Sequence, residues 1–184
     1  FRDCSFRLAG PAAAALEQVF IADWCQATDT DPATFADLLH NRPAPQGEAD
    51  VDVIASGPDC VNDPLWEKYV ALIENARVSL TIVTPYFVPD KALFRLLVAA
   101  AAKGRRVRVL VPRRSDHRLL DFARRWYLRQ LKEAGAEILF FKPDVLHAKL
   151  FIADDESLVI GSANLDMRSL FLNYEIAAVV RDPA

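Results

Sequence analysis

No part of the 184-residue chain forms a long uninterrupted apolar run, although 52% of its residues are hydrophobic. A helix that crosses a bilayer needs roughly 20 consecutive apolar residues, and the longest apolar stretches here are far shorter. The first residues also lack the charged start, apolar run and small-residue cleavage site of a secretion signal. We therefore expect a soluble chain. Its length and apolar content suffice for one substantial core and exclude a disordered or fibrous protein.

Cysteine is scarce, and its spacing excludes two common uses. The three cysteines, Cys4, Cys25 and Cys60, are odd in number and lie far apart in the sequence. Neither a disulfide framework nor a compact zinc site has this arrangement. We expect reduced thiols, which indicates a cytosolic location.

Charge is unevenly distributed, although the formal net charge is only −3. Residues 1–63 contain eleven acidic residues and three arginines, whereas residues 103–129 contain ten lysines and arginines and two aspartates. A basic segment of this density attracts anionic partners such as lipid head groups, phosphate esters or nucleic acid. The alternative is a solvated helix face without a partner.

Strands and helices alternate from residue 49 onward, a pattern typical of α/β folds with a largely parallel sheet. Apolar segments predict seven strands, at residues 50–57, 78–87, 105–112, 136–141, 147–154, 157–162 and 174–180. Three amphipathic segments between them predict helices. We therefore predict an α/β fold, with a mixed, mostly parallel sheet of about seven strands flanked by helices.

The three predicted helices lie at residues 64–76, 91–103 and 115–135. Asp90 is a candidate N-cap of the second helix, and Ser115 or Asp116 of the third. Gly104 and Gly135 are the expected stops.

The first 48 residues differ from the rest. A short strand and a helix are predicted over residues 1–28, followed by a polar connector that contains prolines. We place a domain boundary near residue 48. Because the chain begins with Phe1 rather than Met and ends directly after an apolar run, we expect it to be a piece of a longer protein.

The segment "LHAKLFIADDESLVIGSANLDMRS", at residues 146–169, places polar groups on an otherwise apolar strand. Side chains alternate between the two faces of a strand, so His147 and Lys149 point the same way. An imidazole beside an ammonium suits attack on a phosphodiester. Neutral histidine is a nucleophile at phosphorus, and lysine offsets the charge on the non-bridging oxygens. A second histidine, titrating near neutrality, can protonate the leaving alkoxide.

Two carboxylates near this strand have different expected roles. Asp154 lies an odd number of residues after His147 and therefore faces away from it in a regular strand. We expect it to hydrogen-bond backbone groups at the turn "DDES", with a direct catalytic part as the alternative. Glu175 is a single acid in the apolar segment "NYEIAAVV", where burial demands a partner. The imidazole N–H of His147 would serve as one.

The segment "HAKLFIAD" matches the His-x-Lys-x4-Asp motif of the phospholipase D superfamily, with Asp154 as its last residue. "GSANLDMRS" matches the Gly-Ser-x-Asn segment that follows this motif in the superfamily. More narrowly, six ordered blocks over nearly the entire chain resemble the C-terminal half of a bacterial cardiolipin synthase. Besides the two motif blocks, these are "FRDCSFRLAGPAAAALEQVFIADW", "IASGPD", "TPYFVPD" and "VLVPRRSDHRL".

The resemblance implies a phosphatidyltransferase that converts two molecules of phosphatidylglycerol to cardiolipin and glycerol. It implies that His147 is the nucleophile that forms a phosphohistidine intermediate, and that Lys149 and Asn164 bind the phosphate. Ser162 matches the small hydroxyl residue near the phosphate. Glu175 matches the acid that holds the histidine.

The resemblance also suggests where lipid enters. Tyr86, Phe87 and the basic stretch from Arg105 to Arg118 are candidates for the border of that entry. Core packing of the aromatic residues and solvation of the charges are the alternatives.

Members of the superfamily build one active site from two motifs, and this chain has one. Its other histidines, His40 and His117, are not followed by the motif; we expect His40 at the surface and His117 at the start of its helix. Residues 1–48 would then end a first lobe whose motif lies upstream, and residues 49–184 would form the second lobe. Alternatively, two chains form a homodimer about a twofold axis and bring two copies of His147 together.

Two other functions stay open at this point. Passing the intermediate to water would give a phospholipase D or a phosphodiesterase, and a non-catalytic lobe would only bind anionic lipid. The blocks around the motif favour a lipid over a nucleic acid, and they imply peripheral contact with the cytoplasmic side of a bacterial inner membrane.

No cofactor is expected. No metal is expected either, because Lys149 supplies positive charge and no His or Cys ligands cluster near "DDESL" or Asp166.

Overall fold

The computed structural model describes residues 2–40, 43–142 and 146–181. Nine strands form within these residues, in chain order β1 Asp50–Ser56, β2 Ser79–Val83, β3 Phe87–Val88, β4 Arg106–Pro112, β5 Glu137–Phe141, β6 Leu150–Ala153, β7 Ser157–Gly161, β8 Leu165–Asp166 and β9 Glu175–Arg181. Seven of them make one sheet in the spatial order β1-β9-β7-β6-β2-β4-β5, and β3 and β8 pair separately. All seven predicted segments contribute a strand to the main sheet, although β6 begins at Leu150 rather than at His147.

Six α-helices accompany the strands within the same residues. They are α1 Pro11–Thr28, α2 Ala36–Leu39, α3 Pro64–Asn75, α4 Lys91–Ala102, α5 Arg118–Glu133 and α6 Met167–Phe171. The three predicted helices correspond to α3, α4 and α5. No helix in the described ranges is long and apolar enough to cross a membrane.

The sheet is mixed, but the prediction that it is mostly parallel is wrong. Only the pairs β2–β4 and β4–β5 are parallel, whereas β2–β6, β6–β7, β7–β9 and β1–β9 are antiparallel. Parallel neighbours need a long crossover, which α4 and α5 supply. From β6 onward the connections are shorter, and three residues between β6 and β7 permit only an antiparallel hairpin. The three predicted helices all precede β5, so the predicted pattern itself contains no long crossover for the later strands.

The start of α5 also differs from the prediction. Asp90 caps α4 as expected, accepting from the backbone N–H of Ala92 at 2.7 Å. Neither Ser115 nor Asp116 caps α5, because the helix begins at Arg118 and His117 occupies its N-cap position without a side-chain cap. The hydroxyl of Ser115 instead accepts from the N–H of His117.

The apolar core lies between the main sheet and the helices α3, α4 and α5. Alternate residues of the central strands face it, and Leu80, Ile82 and Val109 are at most 1% exposed. Each fully buried side chain of this kind stabilises the fold by about 1.5–3 kcal/mol. The residues between them face the other side of the sheet, where a smaller cluster comprises Val83, Leu146 and Ala148. Leu146 and Ala148 flank His147 in the sequence, so this cluster anchors the segment that carries it.

Residues 2–40 contain the predicted helix, and in this range one isolated bridge forms in place of the predicted strand. Arg2 pairs with Leu146 in an isolated parallel bridge. The helix α1 follows and packs against β1. The predicted connector contains a short 3-10 turn at Pro32–Phe35 and then α2.

Candidate active site

His147 lies in an extended segment directly before β6, beside the start of the chain. Its backbone N–H donates to the carbonyl of Arg2 at 2.7 Å. The side chains on either side of it, Leu146 and Ala148, are buried. The imidazole therefore projects from a fixed backbone, while 45% of the His147 side chain stays accessible.

Lys149 lies next to this imidazole, as the alternation of side chains predicts. Its Nζ is 3.2 Å from Nδ1 and 3.3 Å from Nε2 of His147, and it also donates to the His147 carbonyl. Partial burial lowers the pKa of Lys149, and the negative charges of Asp3 and Glu175 oppose that shift. The ammonium is thus partly stripped of water, which strengthens its interaction with an approaching anion.

A carboxylate that the sequence interpretation missed, Asp3, completes this contact. Its Oδ2 is 2.8 Å from Nδ1 of His147. The hydrogen bond from the imidazole is the main reason why the pKa of Asp3 is held below its usual value. A carboxylate only accepts, so Nδ1 carries the proton in this contact and Nε2 keeps the lone pair of the neutral ring. The only feature of the sequence that pointed to Asp3 was the presence of an acidic residue in the short strand predicted near the start of the chain.

Glu175 does not make the predicted hydrogen bond to His147. It begins β9, where its Oε2 accepts from the hydroxyl of Ser162 and its Oε1 accepts from Asn173 Nδ2 at 3.1 Å. The carboxylate that contacts the imidazole Nδ1 is Asp3 instead, because the bridge between Arg2 and Leu146 brings the start of the chain to the histidine. Glu175 still contributes negative potential at Lys149.

Ser162 is held at the end of β7 by its pairing with β9. Its backbone N–H donates to the Ile176 carbonyl at 2.9 Å, and its hydroxyl accepts from the Ile176 N–H at 3.0 Å. The preceding Gly161 permits this close pairing, since a Cβ there would lie 2.2 Å from the Ile176 oxygen. The glycine of the Gly-Ser-x-Asn segment is therefore required by packing.

Asn164 is half-buried, and its amide is only partly satisfied. Nδ2 donates to the hydroxyl of Ser169 at 3.3 Å, and the buried Oδ1 has no hydrogen-bond partner among residues 2–40, 43–142 and 146–181. A half-turn of the amide would pair Oδ1 with the Ser169 hydroxyl and release the NH2 group for an anionic ligand.

Asp154 faces away from His147, as the odd spacing predicts. It adopts a left-handed backbone conformation with φ 57° at the turn after β6. Its carboxylate accepts from the backbone N–H groups of Arg77, Val78 and Ser79 at 2.6, 2.8 and 2.8 Å. Partial burial works to raise the pKa of Asp154, but these three bonds outweigh it and hold the pKa below its usual value. Asp154 thus joins the start of β2 to the end of β6. It hydrogen-bonds backbone groups as predicted, but these belong to residues 77–79 rather than to the turn "DDES".

The expected lipid border is only partly supported. Phe87 is fully buried in the core, so it does not border an entry. Tyr86 is half-buried and donates to Asp116 at 2.5 Å, with His117 edge-on to its ring. Burial and the bond to Asp116 raise the pKa of Tyr86 to about 12. The hydrogen bond from Tyr86 is the main reason why the pKa of Asp116 is held below its usual value.

Two cavities adjoin Ser162 on the side of α1. Their volumes are about 320 and 250 Å³. Apolar side chains from three parts of the chain line one or both of them, namely Phe6, Leu16, Val19, Phe20, Ile160 and Ile176.

The remaining histidines lie on surface elements. His40 ends α2, with Nδ1 2.5 Å from the Ala36 carbonyl, and His117 precedes α5. In the described part of the chain, no three His, Cys, Asp or Glu side chains come together as a metal site would require. The structure thus places the imidazole of His147 in contact with an ammonium and a carboxylate, and a histidine beside a cation suits the chemistry of a phosphate ester.

Solved structures with a similar fold include a phospholipase D family member and a phosphatidylserine synthase. Nuc from Salmonella typhimurium, titled a phospholipase D family member, superposes with a TM-score of 0.60 and 23% identity over 73% of this chain and 84% of that chain. Phosphatidylserine synthase from Haemophilus influenzae gives a TM-score of 0.59 and 21% identity, covering 73% of this chain and 35% of that chain. These likenesses establish the fold.

Sequence similarity is stronger to longer proteins. The major cardiolipin synthase ClsA of Bacillus subtilis is 35% identical over 99% of this chain and 38% of its own length. Cardiolipin synthase 2 of Bacillus anthracis is 37% identical over 99% of this chain and 35% of its own length. The chain therefore spans little more than a third of these relatives. The family described as "Cardiolipin synthase, PLD-like domain" matches residues 69–184, and the chain belongs to this family.

Proposed function

We propose that this chain supplies one catalytic lobe of a phosphatidyltransferase of the cardiolipin synthase type. One observation carries the proposal: the imidazole of His147 contacts both the carboxylate of Asp3 and the ammonium of Lys149. The similar proteins that bear the name cardiolipin synthase support the choice of a phospholipid, specifically phosphatidylglycerol, as substrate.

The reaction is two displacements at phosphorus. Nε2 of His147 attacks the phosphorus of one phosphatidylglycerol; the P–N bond forms and the P–O bond to the head-group glycerol breaks. The glycerol alkoxide takes a proton from a general acid and leaves. A primary hydroxyl of a second phosphatidylglycerol then loses its proton to a general base and attacks the phosphohistidine. The P–N bond breaks, giving cardiolipin and free His147.

Asp3 and Lys149 have complementary roles in the first displacement. The carboxylate of Asp3 holds the proton on Nδ1, so Nε2 carries the lone pair and the cation that forms is stabilised. The partly buried ammonium of Lys149 offsets the charge on the non-bridging oxygens. This assignment makes Asp3 a positioning residue and Lys149 a catalytic one.

Ser162 and Asn164 would bind the same phosphate. The hydroxyl of Ser162 is fixed by Glu175 and the backbone of Ile176, and the amide of Asn164 holds an unsatisfied polar atom. Glu175 then acts through Ser162 and through its charge at Lys149. Asp154 has a structural role, because its carboxylate is occupied by three backbone donors.

A second histidine must supply the general acid, and the described histidines other than His147 lie outside the cluster. We propose that it comes from a preceding lobe, of which residues 1–48 are the end, or from a second copy of this chain. The position of Asp3 against His147 supports the first arrangement, because the N-terminal segment then contributes to the site of residues 49–184. With phosphatidylglycerol as substrate, the enzyme would act in peripheral contact with the cytoplasmic side of a bacterial inner membrane.

Hydrolysis is the second candidate reaction, and the exposure of His147 favours it. With 45% of the side chain accessible, water can reach a phosphohistidine unless another part of the protein covers it. The product would then be phosphatidic acid.

Product analysis tests these assignments. Phosphatidylglycerol vesicles are incubated with the wild type, His147→Ala and the matched control His117→Ala, each as a dimer or together with the preceding lobe that would supply the second histidine. We expect cardiolipin from the wild type and from His117→Ala, and none from His147→Ala. Phosphatidic acid as the only product would replace transfer by hydrolysis, and turnover by His147→Ala would overturn the proposal. Both pools of protein, monomer and dimer, are assayed after separation by size.

A further inference from the structure

A surface groove of about 880 Å³ lies along α5, beside the ends of β4 and the strand β5. Its lining contains one acidic residue, Asp121, and seven basic residues, namely Arg113, Arg114, Arg118, Arg124, Arg125, Arg129 and Lys132. None of His147, Lys149, Ser162 or Asn164 lines it. The predicted basic segment therefore has a defined surface that the proposed reaction does not use.

Arg124 shows that this groove is more than a solvated helix face. The residue is 4% exposed, and its Nη2 donates to the Pro112 carbonyl at 2.8 Å and lies 2.7 Å from Asp121 Oδ1. Its Nη1 is buried without a hydrogen-bond partner in the part of the chain that the structure describes. A buried donor without an acceptor is costly, so Arg124 is held beneath the groove that it lines by its bonds to Pro112 and Asp121.

Large apolar side chains beside the groove narrow the class of ligand. Leu119 and Phe122 on α5 are 82% and 71% exposed, and Phe140 on β5 lines the groove and is 48% exposed. The guanidinium of Arg125 lies over the Phe122 ring, 5.7 Å from its centroid. Basic residues beside exposed apolar ones on one helix are typical of segments that lie in a membrane interface. A small phosphate compound would offer no apolar surface against which Leu119 could pack.

We propose that this groove docks the chain on the surface of an anionic bilayer, with lipid phosphates bound by the arginines and Leu119 and Phe122 inserted among the acyl chains. The complementarity between the six exposed cations of the groove and an anionic surface selects this occupant. The inference goes beyond the proposed reaction, because these lipids are bound and not transformed. It stands independently of which reaction His147 performs.

Vesicle sedimentation with the 184-residue chain tests the proposal. The groove variant is Arg118→Gln, Arg125→Gln and Arg129→Gln together, all exposed on α5. The matched control is Lys91→Gln, Arg95→Gln and Lys103→Gln, three exposed cations on or next to α4. Each basic residue at an anionic surface contributes roughly fivefold in affinity. We expect about a hundredfold weaker binding of the groove variant to phosphatidylglycerol vesicles, and binding by the control within about threefold of the wild type.

Three further measurements test whether the bound phosphate belongs to a lipid and whether the exposed apolar residues contribute to binding. Leu119→Ser with Phe122→Ser should weaken binding about tenfold at high salt, where charge is screened. Inorganic phosphate or single-stranded DNA, at equal phosphate concentration, should not displace the chain from vesicles. Displacement by either would overturn membrane docking in favour of a phosphate site or a nucleic-acid site. Equal binding of the groove variant and the wild type, or equal binding to neutral phosphatidylcholine vesicles, would also contradict the proposal.

Two controls separate this inference from the proposed function. Circular dichroism melts confirm that each variant is folded. His147→Ala should bind vesicles as the wild type does, because the histidine lies outside the groove. Loss of cardiolipin synthesis with retained vesicle binding would therefore leave the docking surface intact.

Discussion

The polar side chains at the two ends of the segment "HAKLFIAD" differ in how fully their hydrogen-bonding groups are satisfied. At one end, the carboxylate of Asp154 accepts three backbone hydrogen bonds and joins the start of β2 to the end of β6. At the other, the imidazole of His147 and the ammonium of Lys149 remain partly accessible, and burial lowers the pKa of the lysine. One eight-residue segment thus contains a satisfied structural group and a partly unsatisfied reactive pair. The difference predicts that substitutions at the two ends change different properties.

Lys149→Met should have the largest effect of the substitutions considered, and the property that changes should be the catalytic activity. Removing the cation that offsets the phosphate charge is expected to lower phosphatidylglycerol turnover by about a thousandfold. The free energy of unfolding should not fall, because the variant also removes an ammonium whose charged form is disfavoured by burial. Turnover assays and urea denaturation on the same preparation check both parts. A marked loss of stability without loss of turnover would reverse the comparison.

Asp154→Asn should have the opposite signature. An uncharged amide oxygen cannot replace a carboxylate with three backbone donors, and we expect a loss of about 2–3 kcal/mol in the free energy of unfolding. Turnover per folded molecule should stay within about threefold of the wild type. Asp155→Asn is the matched control, since Asp155 shares the left-handed conformation, at φ 61°, and is exposed. The structural role fails if both variants are equally stable.

Asp3→Asn is expected to sharpen the comparison at the reactive end. An amide at this position no longer stabilises the cationic ring, so kcat should fall about 10–100-fold with little change in KM. A variant with wild-type kcat would exclude Asp3 as a positioning residue.

The smallest expected effect is the pH dependence of the Asp154 contribution. The pKa of this carboxyl is lower in the fold than in the unfolded chain, so its contribution is fully present above about pH 4. It is lost as the pH falls through the folded value. The difference in unfolding free energy between the wild type and Asp154→Asn should therefore shrink as the pH falls below about 4. A difference that grows on acidification would contradict the lowered pKa.

Much of the fold was predictable because it is encoded locally. Alternating apolar residues located all seven strands of the main sheet, and the side chain of Asp90 marked the start of α4. The direction of the strands was not predicted correctly, because it depends on the length of each connection. Helices separate the strands of the sheet up to β5, but no helix lies between β6 and β7. The start of α5 was misplaced since Asp116 pairs with Tyr86, which lies 30 residues earlier.

The candidate site shows the same limit. Spacing within one strand placed Lys149 beside His147 and turned Asp154 away, as the structure has them. The partner of the imidazole was beyond such reasoning, because Asp3 reaches His147 from 144 positions away through a single bridge of the chain start. Glu175 was assigned to the histidine from its apolar surroundings and from the family resemblance, whereas in the structure its carboxylate accepts from the hydroxyl of Ser162.

The most direct test of the account is to trap the covalent intermediate. Protein that turns over phosphatidylglycerol is quenched under alkaline denaturing conditions, which preserve a phosphohistidine, and its peptides are examined by mass spectrometry. The account predicts a phosphatidyl adduct on His147, absent from His147→Ala. Turnover with an adduct on a different residue, or with no adduct at all, would contradict the assignment of His147 as the nucleophile.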